Sequence, residues 1–286
     1  MDDERFARHG VRLLLKRDDL IHPALPGNKW RKLAPNLRAA LAGGHTSLLT
    51  FGGAYSNHLR ATAAAGRMLG LATVGVVRGD ELAGRPLNPS LARCEADGMR
   101  LHFVSRSDYR RRHDPDFAAR LLRRTGEAGA APEAFLIPEG GSNSLAVHGC
   151  TALGEELHGR TDVAAVACGT GGTLAGLAAG LAAGQSALGV PVLRGGFLGD
   201  EVRELQRSAF GGPRGEWRLD ERFHFGGYAR GSAELAEFAD DFAARHGLPP
   251  LEPVYVAKLL FGLTALAGEG AFAPGTTVTA VVTGPR

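Results

Sequence analysis

The stretch LPGNKWRKL, Leu25 to Leu33, sets Lys29, Arg31 and Lys32 around Trp30 directly after a glycine. Two readings fit these residues. Clustered cations most often form a solvated helix face. A lysine at a loop-to-helix junction can instead be a nucleophilic amine, where glycine and asparagine let a ligand come close to the backbone. The rest of the chain has to decide between them.

Two glycine loops bear on that choice. In ACGTGGTLAG, Ala167 to Gly176, an apolar run ends and a helical run begins. Such a junction aims backbone N–H groups and a positive dipole end at an anion. Gly169, Gly171 and Gly172 present no Cβ to block approach, and Thr170 and Thr173 can add hydroxyl donors. The spacing is not a dinucleotide fingerprint, because Leu174 stands where G-x-G-x-x-G needs its last glycine, and there is no P-loop lysine. A single phosphate is the functional reading. A loop that only packs a helix tightly on its sheet is the structural one. FGGAYSNHLR, Phe51 to Arg60, repeats the arrangement, with Ser56 and Asn57 where an N-cap sits. Orphan amides that accept a cap also accept a substrate carboxylate, so capping and binding both stay open here.

The elements that position these loops are short apolar runs alternating with Ala/Leu-rich stretches. TSLLTF precedes SNHLRATAAAGRMLG, ATVGVVR precedes NPSLARCEADG, RLHFVS precedes PDFAARLLRRTG, and DVAAVAC precedes GTLAGLAAGLA. Runs apolar on both faces, separated by helices, predict an α/β architecture with parallel sheets covered by helices. EGGSNSLAVHG, Glu139 to Gly149, reads as a crossover between two α/β units, and FHFGG and TVTAVVTG as a final strand pair.

Bulk properties narrow the function classes. At 286 residues the chain exceeds the size at which single cores split, about 250 residues, so two lobes are expected. Apolar content of 44% and charged content of 22% are those of an ordinary globular protein. The +3 formal charge is mild, and the run Arg110, Arg111, Arg112 lacks the interleaved aromatics of a nucleic-acid surface, so it reads as a solvated turn. MDDERFARHG has no apolar leader core and no run of about 18 apolar residues occurs, so neither nucleic acid nor membrane is expected and the cytoplasm is the default. Cys94, Cys150 and Cys168 are scattered, without CxxC or HExxH spacing, so no metal is expected.

Taken in order, GNKWRK, GGAYSNH and CGTGGTLAG resemble the motifs of the tryptophan-synthase-β-like, fold type II pyridoxal-phosphate enzymes. Within them the chain is most similar to the 1-aminocyclopropane-1-carboxylate deaminase and D-cysteine desulfhydrase family. KRDDLIHPALPGNKWRKL and EPVYVAKLLFGL extend the likeness over most of the chain. The resemblance implies a two-lobed fold, residues 1–34 and 148–286 forming a large cofactor-binding domain and 35–147 a small one. It implies pyridoxal 5'-phosphate as cofactor, a small amino acid as substrate and a homodimer. By position, Lys29 is the family's Schiff-base lysine, Ser56 lies beside the substrate and Asn57 bonds the cofactor's ring hydroxyl. The loop Gly169, Thr170, Gly171, Gly172, Thr173 cradles the phosphate, and Tyr255 and Tyr228 correspond to tyrosines near the substrate. Arg31 and Lys32 are left with surface or lobe-spanning contacts.

Two positions depart from the deaminase pattern. Where the deaminases carry a glutamate after the tyrosine of P-V-Y this chain has Val256, and before its terminal glycine it has Thr283 in place of leucine. Opening a cyclopropane without a Cα proton calls for a strong electron sink and hence a carboxylate near the pyridine nitrogen. Val256 cannot supply one, and a threonine hydroxyl suits abstraction of a Cα proton followed by loss of a β-leaving group. The expected activity is therefore a deaminating β-elimination of the D-cysteine desulfhydrase kind, giving a 2-oxo acid and ammonia. Ring opening to 2-oxobutyrate and a non-catalytic binding homologue are the alternatives.

Overall fold

The structure is a computed structural model, described here over residues 1–25, 27–114, 116–117, 120–121 and 134–284. The chain opens with α1 (Glu4–Ala7) and β1 (Arg12–Arg17). It divides into two compact units, one of Met1–Ile21 with Val147–Arg286 and one of His22–Ala146.

The His22–Ala146 unit holds α2 (Lys29–Ala42), β2 (Ser47–Gly52), α3 (Asn57–Leu69), β3 (Ala72–Arg78), α4 (Pro89–Ala96), β4 (Met99–Val104), α5 (Arg106–Tyr109) and β5 (Phe135–Ile137). Its sheet runs β4-β3-β2-β5, parallel throughout. Every residue of β2 is buried, and its side chains alternate between two cores as the period of a strand requires. Leu48 packs with Leu33, Leu37, Ala61, Ala64 and Ala65 of α2 and α3, while Leu49 and Phe51 pack with Val74, Val76 and Tyr109. Small alanines on α3 let that helix lie close on the sheet. The helical reading of PDFAARLLRRTG falls largely outside the described residues.

The other unit holds β1 and, after α6 (Ser144–Glu155), β6 (Val163–Cys168), α7 (Gly172–Gly180), β7 (Ser186–Pro191), α8 (Leu198–Phe210), β8 (Glu216–Leu219), α9 (Ala233–Arg245), α10 (Val256–Gly268) and β9 (Thr277–Val282). The sheet order is β1-β9-β6-β7-β8, again all parallel. Ala165 and Ala167 of β6 face a core with Leu259, Leu260 and Leu263 of α10, and Ala164 and Val166 face one with Leu174 and Leu177 of α7. Helix α7 reaches α6 through glycine: a Cβ on Gly180 would stand 2.0 Å from Thr151 O. The two parallel sheets with their helices are the α/β architecture expected from the sequence.

One strand expectation fails. TVTAVV is β9, but Phe223 to Gly227 is no strand: it closes a 3-10 turn (Glu221–His224) and continues with positive φ at Phe225, Gly226 and Gly227. Left-handed residues cannot extend a ladder, and the carbonyls of His224 and Gly227 are taken by Lys258. Strand β9 pairs with β1 and β6 instead.

Candidate active site

In the unit that contains β6, the loop after Cys168 behaves as its glycines require. Gly171 is the N-cap of α7 with φ 77°, and no side chain caps the helix. The first intrahelical N–H is that of Ala175, donated to Gly171 O at 2.9 Å, so the amides of the first turn point out of the helix end. A Cβ on Gly171 would stand 2.8 Å from Val202 Cγ2, and one on Gly169 would stand 3.2 Å from the Tyr255 hydroxyl. An uncapped helix terminus of nine residues, entered through a loop stripped of Cβ atoms, fits a phosphate monoester. Thr173 is buried and Thr170 half-buried at the same turn.

Tyr255 stands at the start of α10, with its ring 6.2 Å from that of Tyr228 in an edge-to-face arrangement. Thr283 follows β9, the neighbour of β6, so the glycine loop and Thr283 both leave the carboxyl edge of one sheet. Ligands of parallel α/β sheets bind at that edge. This unit therefore gathers Gly169 to Thr173, Tyr228, Tyr255 and Thr283. Val256, the residue after Tyr255, is 1% exposed and faces the apolar core.

Two charged residues of EPVYVAK that the sequence reading passed over support this corner. The buried Glu252 carboxylate accepts N–H bonds from Val254 (2.9 Å), Tyr255 (2.7 Å) and Val256 (3.2 Å). Burial raises its pKa against those bonds and the charge of Lys258. The Lys258 side chain is fully buried, and its Nζ donates to His224 O and Gly227 O, each at 2.8 Å. Burial pushes its ammonium down to about 8, opposed by the charge of Glu252. Their spacing, three residues before and three after Tyr255, was the signal available in the sequence.

In the other unit, Lys29 is the first residue of α2 and Asn57 the first of α3. Ser56 is the N-cap of α3, its Oγ accepting the Leu59 N–H at 3.3 Å. The hydroxyl proton remains a donor, so capping does not exclude binding. A Cβ on Gly52 would stand 2.6 Å from Ser56 Oγ, which makes this glycine a condition of the serine's position. Lys29, Ser56 and Asn57 are half-buried.

The next residue, His58, is 2% exposed. Its Nε2 lies 2.8 Å from Thr50 Oγ1, whose own proton goes to Ile137 O at 2.8 Å. The histidine must then be the donor, with the proton on Nε2 and a bare lone pair on Nδ1. Nδ1 is buried without a hydrogen-bond partner. Burial first, then the charges of Lys29 and Lys32, hold its pKa well below the usual histidine value.

Arg31 and Lys32 do not occupy the surface, which is one of the two expectations for them. They are 8% and 2% exposed. Lys32 Nζ donates to Gly140 O (3.1 Å) and Ser142 Oγ (3.0 Å), both in its own unit. Lys32 sits nearly one turn beyond Lys29 on α2, on a face that packs inward, and polar backbone from Gly140 satisfies the charge there.

Comparison with known proteins gives a consistent picture. The family model described as pyridoxal-phosphate dependent enzyme matches residues 3–284. A Thermotoga maritima protein provisionally named 1-aminocyclopropane-1-carboxylate deaminase is 33% identical over 271 residues, 90% of this chain and 84% of that protein. An Arabidopsis thaliana protein named bifunctional D-cysteine desulfhydrase/1-aminocyclopropane-1-carboxylate deaminase, mitochondrial, is 31% identical over 274 residues, 89% of this chain and 67% of its own length. A solved structure described as an ACC deaminase homologue superposes with a TM-score of 0.83 at 28% identity, covering 98% of this chain and 86% of its own.

Proposed function

Since the chain belongs to the pyridoxal-phosphate dependent enzyme family, we propose that it is a deaminating lyase for a small amino acid. The preferred reaction is β-elimination of D-cysteine to pyruvate, sulfide and ammonia with uptake of one water. The observation that carries this choice is Val256, buried in the apolar core at 1% exposure where the ring-opening pattern requires a carboxylate, together with the hydroxyl of Thr283.

Bound pyridoxal phosphate supplies an electron sink for negative charge at the substrate's Cα. The residues of this chain do the rest. The amides of the loop from Gly169 to Thr173, with the hydroxyls of Thr170 and Thr173, would hold the phosphate. Asn57 would donate to the ring hydroxyl and Thr283 would face the ring nitrogen. Lys29 Nζ would hold the cofactor at rest and, once released, take the Cα proton. The Ser56 hydroxyl would orient the substrate carboxylate, and Tyr255 and Tyr228 would flank the departing β-substituent. The family resemblance and the geometry of each unit support these roles. We assign cofactor binding to the unit of Met1–Ile21 and Val147–Arg286. A cytoplasmic homodimer is the setting that the resemblance supports, and light scattering on the purified protein tests the dimer.

A second reading, ring opening of 1-aminocyclopropane-1-carboxylate, is favoured by the name of the Thermotoga relative. Holoenzyme assayed in parallel separates the two: pyruvate with sulfide from D-cysteine is expected, and 2-oxobutyrate from the cyclopropane substrate as the faster reaction would overturn the preference. Lys29→Ala is expected to abolish ammonia release from either. Full turnover in that variant would remove Lys29 from its role.

A further inference from the structure

The segment that carries Tyr228 is bent in a way few side chains tolerate. Phe225 (φ 52°) and Ala229 (φ 55°) are the two non-glycine residues with positive φ among the described residues, and Gly226 (84°) and Gly227 (120°) stand between Phe225 and Tyr228. Left-handed backbone brings the Cβ of a non-glycine residue too close to the following carbonyl oxygen. Such a turn persists only where its surroundings over-determine it.

Helix α10 is what surrounds it. Lys258 Nζ takes the carbonyls of His224 and Gly227, on either side of the bend. Phe261, nearly one turn further along, meets Phe225 edge-on with ring centroids 5.0 Å apart. Gly262 lets Phe223 lie against the helix, since a Cβ there would stand 2.8 Å from Phe223 Cδ2. Four residues before the same helix begins, Glu252 accepts the backbone N–H of Tyr255. The helix and the residues that lead into it thus carry two anchors, the Glu252 carboxylate for the turn that presents Tyr255 and the Lys258 ammonium for the turn that presents Tyr228.

We infer that Lys258 is a positioning residue for the reaction, fixing the 224–229 turn so that the ring of Tyr228 keeps its place against that of Tyr255. This rests on the reading of Tyr228 and Tyr255 as substrate-side groups. A fully buried ammonium is a costly way to fill space, since an apolar chain of the same length generally packs as well or better. Two carbonyls of the bend, each also accepting one backbone N–H (from Gly227 and Arg230), have a second acceptor site that the ammonium fills.

Holoenzyme carrying Lys258→Met keeps the length of the side chain and loses its donors. Lys258→Gln keeps an N–H donor and serves as the milder variant. Amide hydrogen exchange over residues 225–230 is expected to speed up at least tenfold in Lys258→Met and less in Lys258→Gln, with exchange in β6 and β9 unchanged. Turnover of D-cysteine is expected to fall at least tenfold in kcat while the visible absorbance of the bound cofactor is kept. Added to Tyr228→Phe, the Lys258→Met change should cost less than a further twofold, because holding the ring in place serves to place the hydroxyl that Tyr228→Phe has already removed. Unchanged exchange over 225–230 overturns the inference alone, as do fully multiplicative losses in the double variant. Faster local exchange with Tyr228→Phe fully active overturns the reading of Tyr228, and the inference with it.

Discussion

His58 makes the folded protein sensitive to mild acid, because its burial disfavours the charged ring. In the folded state a proton on Nδ1 would add a charge to a fully buried ring that already feels Lys29 and Lys32. In the unfolded chain the imidazole titrates near 6.5. The unfolded state therefore binds a proton below pH 6.5 that the folded state refuses, and stability falls as pH falls through that value. The slope for one such group reaches about 1.4 kcal/mol per pH unit, so at pH 5 the loss relative to the alkaline plateau is at most roughly 2 kcal/mol. His58→Gln isolates the effect, because the amide can still donate to Thr50 Oγ1 and does not titrate. Urea unfolding of both proteins from pH 5 to 8, subtracted one from the other, removes the remaining histidines from the comparison. The expected difference curve is flat above pH 7 and falls below it. Parallel curves for the two proteins would refute both the neutral tautomer and the burial argument.

The glycine loops yield two more tests. Gly52→Ala places a Cβ 2.6 Å from Ser56 Oγ and 2.7 Å from Leu59 Cγ, and overpacking of this kind costs roughly 1–3 kcal/mol. A lower urea midpoint with a raised KM for D-cysteine is expected, and wild-type values for both would detach Ser56 from substrate binding. Gly171→Ala combines a left-handed φ of 77° with a 2.8 Å approach to Val202 Cγ2. At a cost of at least roughly 1–2 kcal/mol, cofactor affinity measured by absorbance titration should weaken tenfold or more. An unchanged Kd would mean that the phosphate is held elsewhere.

What could be read from the sequence was local. Strands β2, β3 and β6 announce themselves because helices cover both faces, leaving unbroken apolar runs beside alanine-rich helices. Strands β1 (RLLLKR) and β8 (EWRL) escape that reading because they are the edges of their sheet, partly exposed and charged. The glycine loop from Gly169 to Thr173 was legible because strand end, glycines and helix start are contiguous. The burial of Lys32 was not, since its partner Gly140 lies 108 positions away. His58 drew no reading of its own from the sequence, and only the tertiary bond to Thr50, itself bonded to Ile137 on another strand, fixes its tautomer. FHFGG misled because its aromatics suit a strand, while Gly226 and Gly227 and a lysine more than thirty residues on bend it into a turn.

The pairing of β1 with β9 carries a consequence for biosynthesis. Arg12 lies opposite Thr277, and β9 stands between β1 and β6 in the sheet. A nascent chain can complete the continuous His22–Ala146 unit early, as domains emerging from the ribosome do. The sheet that bears the glycine loop must wait with a vacant middle lane until Thr277–Val282 is translated. Any message truncated before Thr277 would release a chain whose β1 lacks its β9 partner, and quality control would meet that unpaired edge first.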